Sequence, residues 1–330
     1  MRNLILLLIF INFYKVAYNQ VIKGTVLDNE TKCPIGFAYL YFSGTFAGTQ
    51  SDQNGNFELD VSKNASTSLT ISAIGYYSSS LTDFSIEKSQ IIYLTPKLYE
   101  LKEITINAKS LARKRKANLR MFKNEFLGTT DNARECEILN ESDITFNYDS
   151  DKDTLKAFAS KPILIDNRGL GYKITYYLDK FEYYKKSRSF FYKGNVIFNE
   201  DLTTYELQKQ SFEVNRRYAY FGSRMHFFRA LWVNDLKSEG FIAKTSSDAN
   251  LNYEDIVIQE DNHRKFLKYH ENLDIYYYTK FRMSHIVFLE ERVYFDNSGY
   301  FDQLGISWEG EFAIQRVGDL LPYEYYIKLE

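Results

Sequence analysis

A series of short segments in which apolar and polar residues alternate most constrains what this chain can fold into. In the segment 56–61, Phe57, Leu59 and Val61 fall on one face of an extended chain. Comparable segments, each followed by turn residues, lie at 21–27, 35–42, 68–74 and 91–94. Short strands at this spacing predict a small β-sandwich over residues 21–95. The chain has 28 Tyr and 26 Phe against 4 Pro, which extends the expectation of a mainly β fold beyond this region.

The polar stretch "GTQSDQNGNFEL" at 48–59 has two readings, a metal-binding loop or a tight turn. Asn54 and Gly55 both tolerate positive φ, which makes the pair a strong hairpin signal between two extended segments. Asp52 can accept hydrogen bonds from the backbone of such a turn. A calcium loop of the EF-hand type would need further acids at fixed spacing and flanking helices. We therefore predict a structural turn and no metal.

Residues 21 to about 95 also carry an ordered set of motifs. They are an opening G-x-V-x-D, a Pro-Ile pair, the hairpin G-T-x-x-D-x-x-G-x-F and a later S-x-x-G-Y. Together these motifs resemble the carboxypeptidase-regulatory-like domain of Bacteroidetes envelope proteins. The resemblance implies a transthyretin-like sandwich of seven strands that acts as a folding or interaction module and has no catalytic residue. The stretch "LYELKEITINA" resembles the segment that follows this module in TonB-dependent receptors, but the residues after it are too few for such a barrel.

The first twenty residues form a separate unit. Arg2 precedes an apolar run at 4–13 that is too short to span a bilayer comfortably and is typical of a secretory signal peptide. An uncleaved anchor is the alternative. We expect export to the periplasm or association with the outer membrane. Cys33 and Cys136 fall in different predicted domains, and the sequence leaves open whether they pair.

A basic segment links the two halves of the chain. At 109–127, seven basic residues precede the first acid, and Leu119, Phe122 and Phe126 recur at helical spacing. Gly128 offers a stop signal. We favour a helix that is docked by its three apolar residues and keeps its charges in solvent. The alternative is peripheral contact with anionic lipid or with an acidic partner.

The C-terminal half returns to strand patterns and predicts an α+β domain. Its β-forming segments lie at 144–148, 154–159, 174–178, 181–184 and 189–198, and again at 256–258, 273–281, 286–288, 293–295 and 305–308. Between them, 212–236 predicts one or two helices with a break near Gly222. Blocks such as "RRYAYFGSRMHFFRAL" and "DLLPYEY" resemble an uncharacterised Bacteroidetes family that carries the same module, which implies no activity. The predicted organisation is a signal peptide (1–20), the sandwich (21–95), a linker with the basic helix (96–128) and the α+β domain (129–330).

Motifs for catalysis are missing from the sequence. None of the four histidines, His226, His263, His270 and His285, has a Glu three residues on, so the zinc pattern of a carboxypeptidase is absent. Neither a phosphate-binding loop nor a nucleophile elbow occurs. The formal net charge of −2 gives no reason to expect nucleic acid. We predict no metal, no cofactor and no nucleic-acid partner.

One cluster near the predicted helix break suits ligand binding. The planar, forked guanidinium group of arginine matches carboxylate or phosphate groups, and aromatic faces suit sugars. An anionic glycan or a lipid headgroup is therefore the candidate ligand. The set is Arg216, Arg217, Tyr220, Arg224, His226 and Arg229. The alternative, which we favour, is that these arginines form salt bridges from helix to sheet.

The sequence therefore predicts an exported, non-enzymatic envelope protein that binds a protein or glycan partner, with the sandwich as a docking module. The alternative is a hydrolase or other carbohydrate-processing enzyme with an unrecognised site in the C-terminal domain. A deep pocket that gathers acids or histidines would favour the enzyme. A surface lined with aromatic rings and lacking such a cluster would favour binding.

Overall fold

The computed structural model describes residues 20–62, 68–82, 84, 88–97, 108–200, 203, 205–260, 264–277 and 282–327. Residues 1–19 of the predicted signal peptide lie outside these ranges, as does most of the receptor-like linker.

Seven strands form the N-terminal sandwich. They are β1 Val21–Asp28, β2 Tyr39–Phe42, β3 Gly48–Gln50, β4 Asn56–Asp60, β5 Leu69–Ser72, β6 Ser79–Leu81 and β7 Gln90–Leu94. One sheet has the order β4-β1-β7 and the other β3-β2-β5-β6, and all pairs are antiparallel except β1 with β7. Apolar residues of both sheets, such as Val26 and Phe42, share one core. The predicted seven-stranded sandwich is confirmed.

The polar hairpin of this sandwich is a structural turn, as the sequence predicted. One carboxylate oxygen of Asp52 accepts hydrogen bonds from the backbone N–H groups of Asn54 and Asn56, both at 2.8 Å. Of the predicted pair, Gly55 has a positive φ of +77° and Asn54 does not have a positive φ. The backbone hydrogen bond from Asn56 is the main cause of a lowered pKa for Asp52. The Asp52 carboxylate therefore shapes the backbone of the turn.

Strands and helices alternate along the rest of the chain. The strands are β8 Cys136–Ile138, β9 Ile144–Asp149, β10 Thr154–Ala159, β11 Ile163–Asn167, β12 Tyr172–Tyr184, β13 Ser189–Glu200, β14 Phe241–Thr245, β15 Val257–Gln259, β16 Lys265–Leu267, β17 Leu273–Tyr277, β18 Arg282–Phe288, β19 Val293–Phe295 and β20 Ile306–Gly310. The helices are α1 Ala108–Phe126, α2 Asp131–Arg134, α3 Glu206–Tyr220, α4 Arg224–Trp232, α5 Tyr253–Ile256 and α6 Glu311–Ile314, with short 3-10 turns at Glu141–Asp143, Gln303–Gly305 and Val317–Asp319.

Antiparallel sheets organise this C-terminal part. The largest has the order β8-β11-β12-β10-β9, with β13 also paired to β12. A four-stranded sheet has the order β14-β17-β18-β20, and a three-stranded sheet the order β15-β16-β19. Helices inserted among antiparallel strands confirm the predicted α+β class. The buried apolar residues form two clusters here, one on the largest sheet and one on the other two sheets.

Two helix predictions are confirmed in detail. Phe122 and Phe126 of α1 are fully buried and stack at 4.9 Å, and α1 ends before Gly128. The segment predicted to contain a break near Gly222 forms α3 and α4, separated at Gly222, whose φ is +72°. Ser223 caps α4 by accepting the backbone N–H of His226 at 3.0 Å.

The sandwich docks on the C-terminal part through the outer face of its four-stranded sheet. Thr70 and Ser72 alternate with core residues of β5, so they point away from the sandwich core, yet they are only 3% and 1% exposed. Tyr41 on the same face stacks on Tyr177 of β12 at 5.5 Å between ring centroids. Lys97 lies 3.5 Å from a carboxylate oxygen of Asp179, and both side chains are mostly buried. The contact therefore combines aromatic packing with a shielded ion pair.

A loop of the sandwich also pairs with the outer edge of β13. The backbone N–H of Gly44 donates to the carbonyl of Val196 at 2.8 Å, and the N–H of Phe198 donates to the carbonyl of Thr45 at 3.2 Å. The N–H of Tyr323, near the C-terminus, donates to the carbonyl of Gly44 at 2.7 Å. These bonds cover part of an open strand edge, which is a site of unwanted pairing when it is exposed.

Two further features bear on the sequence predictions. Cys33 is exposed and Cys136 half-buried, and the two are not bonded to each other; burial raises the pKa of the Cys136 thiol to about 12. Across the described ranges, no helix has the length and apolarity needed to cross a bilayer.

Candidate binding cleft

Arg216, one of the predicted ligand-binding residues, is used inside the fold. Its Nε donates to the carbonyl of Leu170 at 2.8 Å, and its Nη1 lies 2.6 Å from a carboxylate oxygen of Glu200. The guanidinium also stacks over the ring of Tyr172 at 4.1 Å. Arg216 is only 8% exposed, so these contacts tie α3 to the turn after β11 and to the end of β13.

Arg229 clamps the C-terminal segment. Its Nε donates to the carbonyl of Ser298 at 2.8 Å, its Nη1 to that of Tyr325 at 2.7 Å and its Nη2 to that of Tyr323 at 3.0 Å. The ring of Tyr326 lies 4.3 Å below the guanidinium. A planar fork of donors suits three carbonyls at fixed positions. The guanidinium therefore holds the chain's own backbone together.

His226 and Tyr220 pack against each other behind α4. The Nδ1 atom of His226 accepts the backbone N–H of Gly222 at 3.1 Å, and its Nε2 lies 2.8 Å from a carboxylate oxygen of Glu239. The rings of Tyr220 and His226 are 4.8 Å apart, and both residues are buried. Burial raises the pKa of the Tyr220 phenol. Both side chains stabilise the junction of α3 and α4.

Arg224 and Arg217 complete the predicted set. Arg224 donates from Nη2 to the carbonyl of Gln315 at 3.1 Å and lines a small cavity of about 80 Å³, and burial lowers its pKa. Arg217 is half-buried on α3. The structure thus gathers the six residues on one helical unit but directs Arg216 and Arg229 to intramolecular acceptors. Their use in ligand binding stays a prediction.

A larger cleft of about 320 Å³ lies where α2, α3, α6 and the strands β17 and β18 meet. Its lining combines carboxylates, amides, hydroxyl groups and tyrosine rings. The lining residues are Thr130, Asp131, Asn132, Asn215, Tyr218, Ala219, Gly222, Ile275, Tyr277, Ser284, Glu311, Phe312, Ile314, Gln315 and Asp319. Among these, none is a Lys or an Arg. Sequence reasoning missed them because they come from distant segments that share no motif.

Asp319 fixes one wall of the cleft. Its two carboxylate oxygens accept the hydroxyl proton of Thr130, at 2.9 and 2.8 Å, and one of them accepts the side-chain amide of Asn132 at 3.0 Å. Thr130 also caps α2 by accepting the backbone N–H of Ala133 at 3.2 Å. Asp319 is 8% exposed, and this burial raises the pKa of its carboxyl. The network holds α2 against the C-terminal segment.

The amide groups of the cleft are held in fixed orientations. Asn215 donates to the carbonyl of Gly169 at 2.8 Å, and Gln315 donates to that of Ala219 at 3.1 Å. Gln315 also accepts the backbone N–H of Arg224 at 3.2 Å through its side-chain oxygen, and each amide has a second N–H group that can donate. Tyr218 is 74% exposed and adds an aromatic ring to the lining. Fixed donors and acceptors around an aromatic ring suit a ligand with many hydroxyl groups.

Two of the three acids that line the cleft, Asp131 and Asp319, make structural contacts. Both oxygens of Asp319 accept hydrogen bonds, and Asp131 pairs with Arg134 at 2.9 Å on the exposed side of α2. Within the described ranges, His, Cys, Asp and Glu form no group of three or more that could hold a metal ion.

Comparison with known families concerns the N-terminal part alone. A family model described as a CarboxypepD_reg-like domain matches residues 22–106. The N-terminal part therefore contains a carboxypeptidase-regulatory-like domain, and its strands are those of the sandwich. No curated protein matches the chain. The matched segment ends before α1, so the cleft lies outside it.

Proposed function

We propose that the chain is an exported, non-catalytic protein of the cell envelope that binds a neutral glycan in the cleft. The observation that carries the proposal is a cleft of about 320 Å³ with carboxylates, oriented amides and tyrosine rings in its lining. Sugars offer hydroxyl groups to such donors and acceptors, and the C–H face of a sugar ring packs on an aromatic ring. Support for export comes from the signal-like pattern of residues 1–20.

The charge of the lining favours a neutral glycan over an anionic one. Asp131, Glu311 and Asp319 line the cleft, and no Lys or Arg is among its lining residues. A carboxylate or phosphate on the ligand would meet like charges there, at an energetic cost. The proposed ligand is therefore a neutral glycan, whereas the arginine-rich sequence suggested an anionic one.

The sandwich acts in this proposal as a brace for the C-terminal part. Its outer sheet face is already covered by Tyr177 and its neighbours, so that face docks on its own chain. The loop at Gly44 bonds both to β13 and to the segment of Tyr323. Asp319 of the cleft lies only a few residues before this point of attachment. The module therefore helps to fix the segment that forms one wall of the cleft.

Tyr218→Ala tests the proposed site. Tyr218 lines the cleft and is 74% exposed, whereas Val214, one turn earlier on α3, is 51% exposed and does not line it. We expect isothermal titration with neutral oligosaccharides (cello-, xylo- and manno-oligomers) to detect binding to the wild-type protein. Tyr218→Ala should weaken this binding about tenfold, a factor that corresponds to about 1.4 kcal/mol. Val214→Ala, the matched control, should leave the affinity unchanged.

Other outcomes would reject parts of the proposal. Equal affinities for the wild type and Tyr218→Ala would place the glycan elsewhere, and binding of uronic-acid oligomers alone would reject the neutral class. Release of reducing ends from the same oligosaccharides would reject the non-catalytic part and favour the hydrolase alternative. Glu311→Gln would then show whether an acid of the cleft carries that activity. Fractionation of the native cells tests the predicted envelope location.

A further inference from the structure

A second concave surface lies on the other side of α2. This basic groove has a volume of about 790 Å³ and is formed by α1, the α1–α2 connection and the residues after α2. Its cationic lining residues are Arg113, Lys116, Arg120, Lys123 and Arg134. The one acid in the lining that the structure describes is Glu141. The groove is thus strongly positive in a chain whose formal net charge is −2.

Three of these cations are not neutralised by the described parts of the protein. Lys123 pairs with Glu141, and Arg134 pairs with Asp131. Arg113, Lys116 and Arg120 are exposed, and none of them has a hydrogen bond or an ion pair with a described residue. Like charges held close together repel one another, so an anionic ligand would relieve an existing cost.

The cations form a line along α1. Residues 113, 116, 120 and 123 recur at intervals of three and four, which places them on one stripe of the helix. At 1.5 Å per residue, the stripe extends over about 15 Å. Phe122 and Phe126 occupy a different face and are fully buried in the core. Since these two rings anchor α1, the stripe is held facing the groove.

We propose that the basic groove binds an acidic polysaccharide of the polyuronate class. A polyuronate carries carboxylates at regular intervals along an extended chain, which matches a linear row of cations in a concave surface. A membrane surface fits less well, because the apolar residues that an interfacial helix inserts into lipid are here part of the protein core. The alternative, in which 109–127 contacts anionic lipid at a membrane surface, is therefore the competing outcome of the experiment below.

This proposal goes beyond the neutral-glycan cleft and does not depend on it. Helix α2 separates the two surfaces: Asp131 and Asn132 line the cleft, whereas Ala133 and Arg134 line the groove. Variants on α1 leave every residue of the cleft lining in place. Loss of polyuronate binding and loss of neutral-glycan binding are therefore separate results.

The experiment is isothermal titration of the full mature chain with polygalacturonate, with dextran as the uncharged polymer. The test variant is Arg113→Gln/Lys116→Gln/Arg120→Gln, which keeps good helix formers on an exposed face. The control is Lys88→Gln/Lys186→Gln/Lys237→Gln, which removes three exposed charges that are not part of the groove lining. We expect the wild type and the control to bind polygalacturonate alike and the test variant to bind at least about tenfold more weakly. Binding of the wild type should also weaken as salt is added.

Three results would overturn the proposal. One is no binding of polygalacturonate by the wild type. Another is an equal loss in the control variant, which would assign the binding to overall charge. The third is binding of polygalacturonate by the test variant as tightly as by the wild type, which would place the polymer outside the groove. If the wild type does not bind polygalacturonate but floats with vesicles of phosphatidylglycerol and phosphatidylcholine, lipid is identified as the occupant. Unchanged thermal unfolding of the test variant ensures that any loss of binding belongs to the missing cations.

Discussion

Gly44→Ala tests how the sandwich is joined to the rest of the protein. Gly44 has a φ of +81°, and a Cβ atom at this position would lie 2.4 Å from Cε2 and 2.7 Å from Cδ2 of Tyr323. Its N–H donates to the carbonyl of Val196 at 2.8 Å, and its own carbonyl accepts the N–H of Tyr323 at 2.7 Å. The Tyr323 ring would have to move, and the two hydrogen bonds would stretch or break.

The expected loss of stability is the sum of these effects. An alanine at positive φ costs about 1 kcal/mol. Two weakened hydrogen bonds add about 1 kcal/mol each, and repacking of Tyr323 adds about 1 kcal/mol more. We therefore expect the free energy of unfolding to fall by about 4 kcal/mol. The matched control is Gly75→Ala, because Gly75 has a φ of +85° and a Cβ atom added there would have nothing within 4 Å of it. The control should lose only about 1 kcal/mol.

Urea unfolding, followed by tyrosine and tryptophan fluorescence, measures both variants. The difference between them should be about 3 kcal/mol, since the cost of positive φ and the effect on the unfolded chain are common to both. The double variant Gly44→Ala/Tyr323→Ala should lose less than the sum of its single variants, because the clash is absent once the ring is removed. Equal destabilisation by Gly44→Ala and Gly75→Ala would refute the reasoning, as would additive losses in the double variant.

Two further predictions concern buried charged groups. Arg229→Met keeps most of the side-chain volume but leaves three carbonyls without their donor, so the free energy of unfolding should fall by about 3–5 kcal/mol. Lys209→Met, on the exposed face of α3, should leave the free energy of unfolding unchanged in the same urea assay. Burial raises the pKa of Asp319 in the folded protein above its ordinary value of 3.8, so the folded state holds this proton more tightly than the unfolded state does. The contribution of Asp319 to stability is therefore complete below about pH 3.8 and is lost as the pH rises through the folded pKa. Asp319→Asn should remove the part of the loss of stability with rising pH that comes from this carboxyl, when the free energy of unfolding is measured across a pH series. A pH profile equal to that of the wild type would contradict the assignment of this loss to Asp319.

The sandwich was predictable because its strands and turns depend on local residue order. Asn54 and Gly55 determine the hairpin, and the alternation of 56–61 marks its buried face. The same reasoning does not predict that Thr70 and Ser72 are buried. Alternation of polar and apolar residues looks the same whether the polar face meets water or, as here, another part of the chain. The covering surface comes from β12, about a hundred residues later in the sequence.

The candidate sites show the same limit. The density of arginines near the α3–α4 break was visible in the sequence, and so was the break at Gly222. The partners of Arg216 and Arg229 were not, because the carbonyls of Leu170 and Tyr325 reach them only in the folded chain. The basic stripe of α1 could be read from helical spacing alone. The cleft could not, since its residues carry no local pattern.

The C-terminal segment explains how two surfaces of opposite charge can lie on either side of one short helix. The backbone N–H of Gly318 donates to the carbonyl of Leu127 at 2.9 Å, directly after α1, and Asp319 accepts from Thr130 and Asn132 at the start of α2. The segment thus holds α1 and α2 together at the point where groove and cleft adjoin. A change at Asp319 should therefore weaken ligand binding at both surfaces, whereas Tyr218→Ala should affect the cleft alone. If Asp319→Asn lowered binding at one surface and left the other intact, this segment would not be the shared support.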